Sequence, residues 1–320
     1  MSPLYVNNTT GLVCCQEEIC LEDGKRDWRK RKKMSIHVSK LMNSYDPERA
    51  LRIKNCGTFL EFVRVPDGTE KLHRANFCRE RLCPMCQWRR SIKLGAQADQ
   101  IYRNLTDKGF KHVFITLTVR NCSGEMLRKT CDDLLESFGR LKRGKMWKNA
   151  VVGSYRALEI TYNEEANTYH PHIHILATVD GNYFLKSNEN YITQEMLIEE
   201  WKSAARLDYR PSVDIEGIKQ KEGQSITSAC AEICKYPCKS AEIKKAKVLE
   251  TIDYALRGRR LIQWAGVAAE VRRELNMDDI ETGNLIKTTE TVGEEELEKI
   301  VYVWRYGLYI PIDFTIIKDA

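Results

Sequence analysis

The sequence predicts an α+β fold: a central antiparallel sheet with flanking helices, and a small cysteine-rich module attached to it. Three observations predict this. Runs at residues 111–119, 155–162 and 169–177 alternate side chains at period two, as strands do. Helical patterns occupy residues 127–148, with Leu134, Leu135, Phe138 and Leu141 as the apolar stripe, and residues 194–207. Four cysteines, Cys56, Cys78, Cys83 and Cys86, fall ahead of this strand-rich part. A further strand is expected over 210–218. The order strand, helix, hairpin, helix, strand predicts a sheet covered by helices on one side, with the opposite face open.

The run Tyr169-His170-Pro171-His172-Ile173-His174-Ile175-Leu176-Ala177 carries the chemistry. Alternation along a strand places His170, His172 and His174 on one face and Ile173, Ile175 and Ala177 on the other, toward a core. Imidazoles one residue apart on a stiff strand suit a metal ion. The preceding strand supplies a carboxylate. A hairpin folded about Glu165-Ala166 sets Glu159 opposite His172, where facing Cβ atoms lie about 5 Å apart. Glu159 is thus the expected third ligand and His170 the competing one. A mixed nitrogen and oxygen set with open positions suits Mg²⁺ or Mn²⁺ working on phosphates.

The chain has 320 residues, 51 Lys+Arg against 45 Asp+Glu, a formal charge of +6 and a pI near 8.6. So mild an excess matters through its placement. Basic clusters at 26–33, 140–148, 244–247 and 257–260 point to a phosphate-backbone partner. No apolar run approaches the ~20 residues that span a bilayer, and the N-terminus lacks a secretory pattern. A cytoplasmic setting, in which the 12 cysteines stay reduced or bind metal, is expected.

The expected organisation is a basic N-terminal arm over 1–50, a cysteine-rich module over 51–95, the main domain over 96–270, and a linker with a small C-terminal unit over 271–320. In the module, Cys83-Pro-Met-Cys86 presents two thiolates to one metal, and Cys78 with Cys56 completes a tetrahedral zinc set. A redox dithiol is the alternative for Cys83 and Cys86. The neighbouring thiols and the following Trp88-Arg89-Arg90 favour a structural zinc module facing nucleic acid.

Residues 226–239 read as a helix with Thr227 or Ser228 as cap and Pro237 in its last turn or at a kink. Glu232 and Tyr236, four apart, share a face. Lys235 and Lys239 flank Tyr236 and favour its phenolate, or hold a phosphate. Phenol is a poor nucleophile at its free pKa of about 10, so such neighbours make it usable.

With these residues in view, the chain resembles the rolling-circle replication initiators of small bacterial plasmids, members of the HUH endonuclease superfamily. The resemblance runs over about 56–266. It rests on Phe114-Ile-Thr-Leu-Thr118, on His170-Pro-His172-Ile-His174, on Glu232-x₃-Tyr236-x₂-Lys239, and on 78–90. It implies an HUH-like sheet and sequence-specific nicking of origin DNA. Tyr236 would be the nucleophile that stays on the 5′ phosphate and leaves a 3′-OH primer. His172 and His174 would be metal ligands, and Glu232 would direct water in the terminating cleavage. The implied partner is plasmid origin DNA, with a single-stranded or hairpin nick site beside duplex; host helicase and polymerase are candidate further partners. Two rival readings are a non-catalytic zinc-binding nucleic-acid adaptor and a metal-dependent phosphoesterase.

Overall fold

The computed structural model describes residues 4–6, 13–15, 28–64, 68, 70–218, 238, 240–286 and 298–312. It divides into two compact units. The first comprises Met1–Lys93, Ser240–Ala246 and Asp279–Ala320, and the second Leu94–Lys239 and Lys247–Asp278.

The first unit opens with strands β1 (Leu4–Val6) and β2 (Val13–Cys15), paired antiparallel. Helix α1 (Trp28–Met42) follows. The basic run expected in a peripheral arm lies partly on this helix, whose Trp28, Val38 and Met42 are buried. Helix α2 (Pro47–Asn55) packs on α1. Asp46 caps it by accepting from the Arg49 N–H at 3.2 Å, and Pro47 occupies the first turn, where its missing N–H costs nothing. Strands β3 (Phe59–Arg64) and β4 (Glu70–Ala75) then pair antiparallel. Helix α3 (Pro84–Asp107) begins inside the cysteine motif, and its residues from Leu94 onward count with the second unit.

The second unit is built on a five-stranded sheet. Its strands are β5 (Lys111–Thr118), β6 (Val151–Asn163), β7 (Thr168–Val179), β8 (Val213–Gly217) and β9 (Ile262–Gly266), in the spatial order β8-β5-β7-β6-β9, every pair antiparallel. Between β5 and β6 the single helix expected over 127–148 is two helices, α4 (Gly124–Arg143) and α5 (Lys145–Ala150), divided at Gly144. Leu127, Cys131, Leu134, Phe138 and Leu141 recur at four- and three-residue steps and are all buried, the stripe by which α4 packs on β7. It also packs on α6 (Gln194–Ala205), which Thr193 caps by accepting from the Met196 N–H. Helices α7 (Ala246–Leu256) and α8 (Val267–Glu274) bracket β9.

Strands β10 (Lys299–Arg305) and β11 (Leu308–Ile312) return to the first unit. They complete a four-stranded sheet in the order β11-β10-β3-β4, with Val301 paired to Glu61. The C-terminal segment thereby joins the sheet that follows Cys56. The structure is α+β, with antiparallel sheets and flanking helices, as expected.

One detail departs from the expectation of helices on a single side. Ring contacts put Tyr102 of α3 against His112 and Trp264, and its hydroxyl donates to the Leu176 carbonyl at 2.8 Å. By register, His112 and Trp264 stand on the histidine face of the sheet. Helix α3 therefore closes one end of that face, because a buried sheet end needs apolar cover on both sides. His112, enclosed there, has its pKa pushed down to about 4 by burial, with Lys111 adding repulsion. The end bearing His172 is left uncovered by Tyr102.

Gly266, at the junction of β9 and α8, has φ +57°. A Cβ there would collide with the Val152 carbonyl and lie 2.9 Å from the Gly153 Cα. Gly258, with φ +77°, has open space around the same position. Gly258→Ala should therefore cost roughly 1–2 kcal/mol for the left-handed backbone alone. Gly266→Ala should cost clearly more, since the β6–β9 edge must also move. Urea unfolding of both variants checks this; equal losses would show that the junction relaxes freely.

Candidate metal centre

The β6–β7 hairpin turns at residues 164–167, where the Asn163 side chain accepts from the Ala166 N–H at 2.9 Å and Asn167 takes φ +51°. That turn sets the register Glu159↔His172 and Ala157↔His174. On the other side of β7, Thr116 faces His174 and Thr118 faces His172. Ile173, Ile175 and Ala177 point the opposite way and are fully buried. Pro171 falls between the last β5 pair, Thr118↔His172, and the isolated bridge Cys122↔Tyr169. Its missing N–H is tolerated there because no regular pairing continues on that side.

Three donor atoms converge. His172 Nε2 and His174 Nε2 lie 3.1 Å apart, and Glu159 Oε2 lies 3.5 Å from the first and 3.2 Å from the second. The three side chains are only 10–14 % accessible. Burial pushes the Glu159 carboxyl up, but hydrogen bonds and charge from the two histidines outweigh it and hold the pKa at about 2. Glu159 is therefore ionised throughout the physiological range.

The outer hydrogen bonds decide what the imidazoles offer. His172 Nδ1 lies 3.1 Å from the His170 carbonyl, which can only accept, so Nδ1 carries the proton. In the neutral ring Nε2 then keeps its lone pair, aimed at the cluster. His174 Nδ1 meets Thr116 Oγ1 at 3.1 Å, and the ring stacks on Phe114 with centroids 5.4 Å apart. An ionised carboxylate and two imidazoles, that of His172 protonated on its outer nitrogen, fit a divalent ion, with positions left open for a substrate.

His170, the competing third ligand, is not brought into the cluster. Its Nδ1 pairs with Asn121 Oδ1 at 2.8 Å, and burial followed by repulsion from His172 lowers its pKa. Glu232, Lys235, Tyr236 and Lys239 lie outside the described residues. In the first unit, Cys56, Cys78, Cys83 and Cys86 form a second cluster, with sulfur atoms all within 4.8 Å of one another. Some basic residues expected to face phosphate are engaged internally. Arg259 is buried and pairs with Asp132 at 2.5 Å, and Lys32 is fully buried.

Sequence reasoning missed the orienting groups. Thr116 sat in a run read as a strand and as part of the family resemblance, with no role given to its side chain, although its parity with His174 follows once β5 is laid beside β7. Asn121 lies beyond β5 and had no signal of its own.

A family of replication proteins matches residues 69–309 of the chain. A rep protein of Streptococcus pneumoniae serotype 2 is 35 % identical over 90 % of this chain and 93 % of its own length. One from Bacillus amyloliquefaciens is 39 % identical over 89 % of this chain and 93 % of its own length. A Bacillus sp. rep protein is 40 % identical over 84 % and 94 %. No solved structure matches.

Replacing Thr116 by Val keeps the β-branched shape and removes the oxygen at His174. Divalent-ion affinity, read by Mn²⁺ titration, should fall roughly 10-fold or more, as for other outer partners of ligating histidines. Thr116→Ser should retain it, and the melting temperatures of both should stay close to the parent. Unchanged Mn²⁺ affinity in Thr116→Val would remove this residue from the centre.

Proposed function

The chain belongs to the replication-protein family, and on that premise we propose that it initiates rolling-circle replication of a small plasmid by nicking origin DNA. The observation that carries this reading is the convergence of Glu159, His172 and His174, with the Nε2 atom of each imidazole turned toward the carboxylate. The sequence motif around Tyr236 supplies the nucleophile.

A divalent ion, Mg²⁺ or Mn²⁺, held by Glu159, His172 and His174 would polarise the scissile phosphate and offset charge on its oxygens. The Tyr236 phenolic oxygen attacks phosphorus and forms a phosphotyrosyl bond to the 5′ side. The bond to the 3′ oxygen breaks, the phenolic proton passes to solvent, and the 3′ oxygen takes up a proton to leave as the primer hydroxyl. One phosphoester replaces another, so rejoining needs no nucleotide hydrolysis. Lys235 and Lys239 stabilise the phenolate and the phosphate as cations. The nick site is single-stranded or extruded, while basic residues grip flanking duplex through its phosphates, where contacts position without specifying. Host helicase and polymerase are the proposed further partners, acting on the displaced strand and the primer. No described helix is long and apolar enough to cross a membrane.

Labelled single-stranded origin DNA with Mn²⁺ should give an SDS-stable adduct, which a zinc adaptor or a simple phosphoesterase would not form. Tyr236→Phe should form none at any metal concentration. His172→Ala and His174→Ala should each abolish nicking while leaving duplex binding nearly intact in gel-shift titration. Normal Mn²⁺-dependent nicking by the double histidine variant would overturn the assignment.

Glu232 separates initiation from termination. On the helix that the sequence predicts over 226–239 it stands one turn before Tyr236, from where its carboxylate would reach the same phosphate and orient or deprotonate water there. Glu232→Ala should form the adduct at near-normal rate yet run past one unit length. If it serves only as a surface partner of Lys235 or Lys239, worth about 0.2–0.5 kcal/mol, product length stays normal. Product length set against adduct yield decides between them.

A further inference from the structure

In the first unit four sulfurs stand close together: Cys56 Sγ is 3.6 Å from Cys86 Sγ, and Cys78 Sγ is 3.7 Å from Cys86 Sγ. A disulfide would hold two sulfurs at about 2.0 Å. Zinc–sulfur bonds of ~2.3 Å at tetrahedral angles put neighbouring sulfurs about 3.8 Å apart, close to the spacing seen. The local backbone serves the same set. The Cys78 N–H donates to Cys56 Sγ at 3.3 Å and the Arg79 N–H donates to Cys86 Sγ at 3.2 Å. The second bond accompanies a left-handed turn, Arg79 having φ +61°. Ser35 Oγ lies 3.6 Å from Cys83 Sγ and accepts from the Met85 N–H at 3.2 Å. Cys83 and Cys86 are fully buried, which removes them from contact with a redox partner.

The independent observation is Lys32. It comes from the basic run of α1, yet its side chain is fully buried. Its Nζ donates to the Lys54 carbonyl at 2.5 Å and to the Cys56 carbonyl at 2.6 Å, the latter belonging to one of the four cysteines. Among the described residues no carboxylate pairs with it. The buried carboxylates of this unit are taken elsewhere, Glu80 by Arg49 and Arg52, and Glu61 by His73 and Arg74. A buried ammonium without an anion carries a large desolvation cost. Four thiolates around Zn²⁺ leave a net charge of about −2, which is the missing anion.

We propose that Cys56, Cys78, Cys83 and Cys86 bind one zinc ion as a tetrathiolate, and that Lys32 is the buried cation that neutralises part of its charge. The two groups are complementary. The zinc cluster gives Lys32 its counter-charge, and Lys32 fixes the carbonyls that end α2 at Cys56. The site thereby joins α1, the end of α2, the loop after β4 and the start of α3. Zinc binding at such a site contributes directly to folding. This proposal does not depend on the nicking reading, since neither the metal of the second unit nor Tyr236 enters it.

The test uses the full chain and zinc itself. Purified protein should hold one equivalent of zinc by elemental analysis. After exchange with Co²⁺ it should show thiolate-to-metal charge-transfer absorption and the d–d bands of a tetrahedral ion. Zinc absent from the wild type, together with no cobalt spectrum, would overturn the site. Cys83→Ser/Cys86→Ser should lose the zinc; if that variant does not fold, the cobalt spectrum of the wild type still decides. Lys32→Met keeps the length and apolar stem of the side chain and removes the charge. It should release zinc to a competing chelator about 10-fold faster or more, the range expected for outer partners of metal ligands. Lys32→Arg should fall between Met and the wild type. Equal release from the wild type and Lys32→Met would overturn the role of Lys32 while leaving the zinc site standing.

Discussion

The pairing of β6 with β7 is the constraint on which the candidate centre depends. A side chain in a sheet has only two choices of face, so a slip of one residue would turn Glu159 into the core and Leu158 onto the site. The Asn163 side chain, the left-handed Asn167 and the fully buried Ile173 and Ile175 all oppose that slip. The same choice of face that buries two isoleucines aims two imidazoles and a carboxylate at one point. Fold stability and site geometry are therefore one requirement, and a register error would forfeit both.

Much of this was legible in the sequence because the signal is local. Three histidines at alternate positions and a short polar turn suffice to place Glu159 beside His172, and a CxxC pair with two further cysteines suffices to suggest the second cluster. What was not legible depends on partners distant in the chain. Nothing in the alternation of β10 names β3 as its neighbour, although Val301 pairs with Glu61. Nothing in α3 announces that Tyr102 will close one end of the histidine face. The four residues Glu232, Lys235, Tyr236 and Lys239 rest on their motif alone, outside the described structure.

Lys32 is an instructive intermediate case. In composition it belongs to a basic run, and a run of that kind ordinarily marks a solvated or phosphate-facing surface. In periodicity it belongs to the buried stripe Trp28, Lys32, Ser35, Ser39 and Met42, spaced at four and three residues. The two signals conflict, and the helical period wins because Trp28 and Met42 need a core. A cation carried on a buried stripe calls for an anion inside. Sequence reading could have asked for that anion, and the nearby cysteines are the group able to become one.

The two clusters solve the same electrostatic problem in opposite directions. In the second unit a buried carboxylate, Glu159, is held ionised by hydrogen bonds and charge from two histidines, and the set stays short of full coordination. In the first unit four thiols form a closed set with no position to spare, and a lysine rather than a histidine stands beside them. Open mixed donors let a metal meet a phosphate, whereas closed sulfur donors hold a fold together. Donor number and donor charge thus suit the two clusters to different metals. On the proposed reading, chemistry would fall to the sheet that carries the histidines, and mechanical support to the module where α1, α2 and α3 meet.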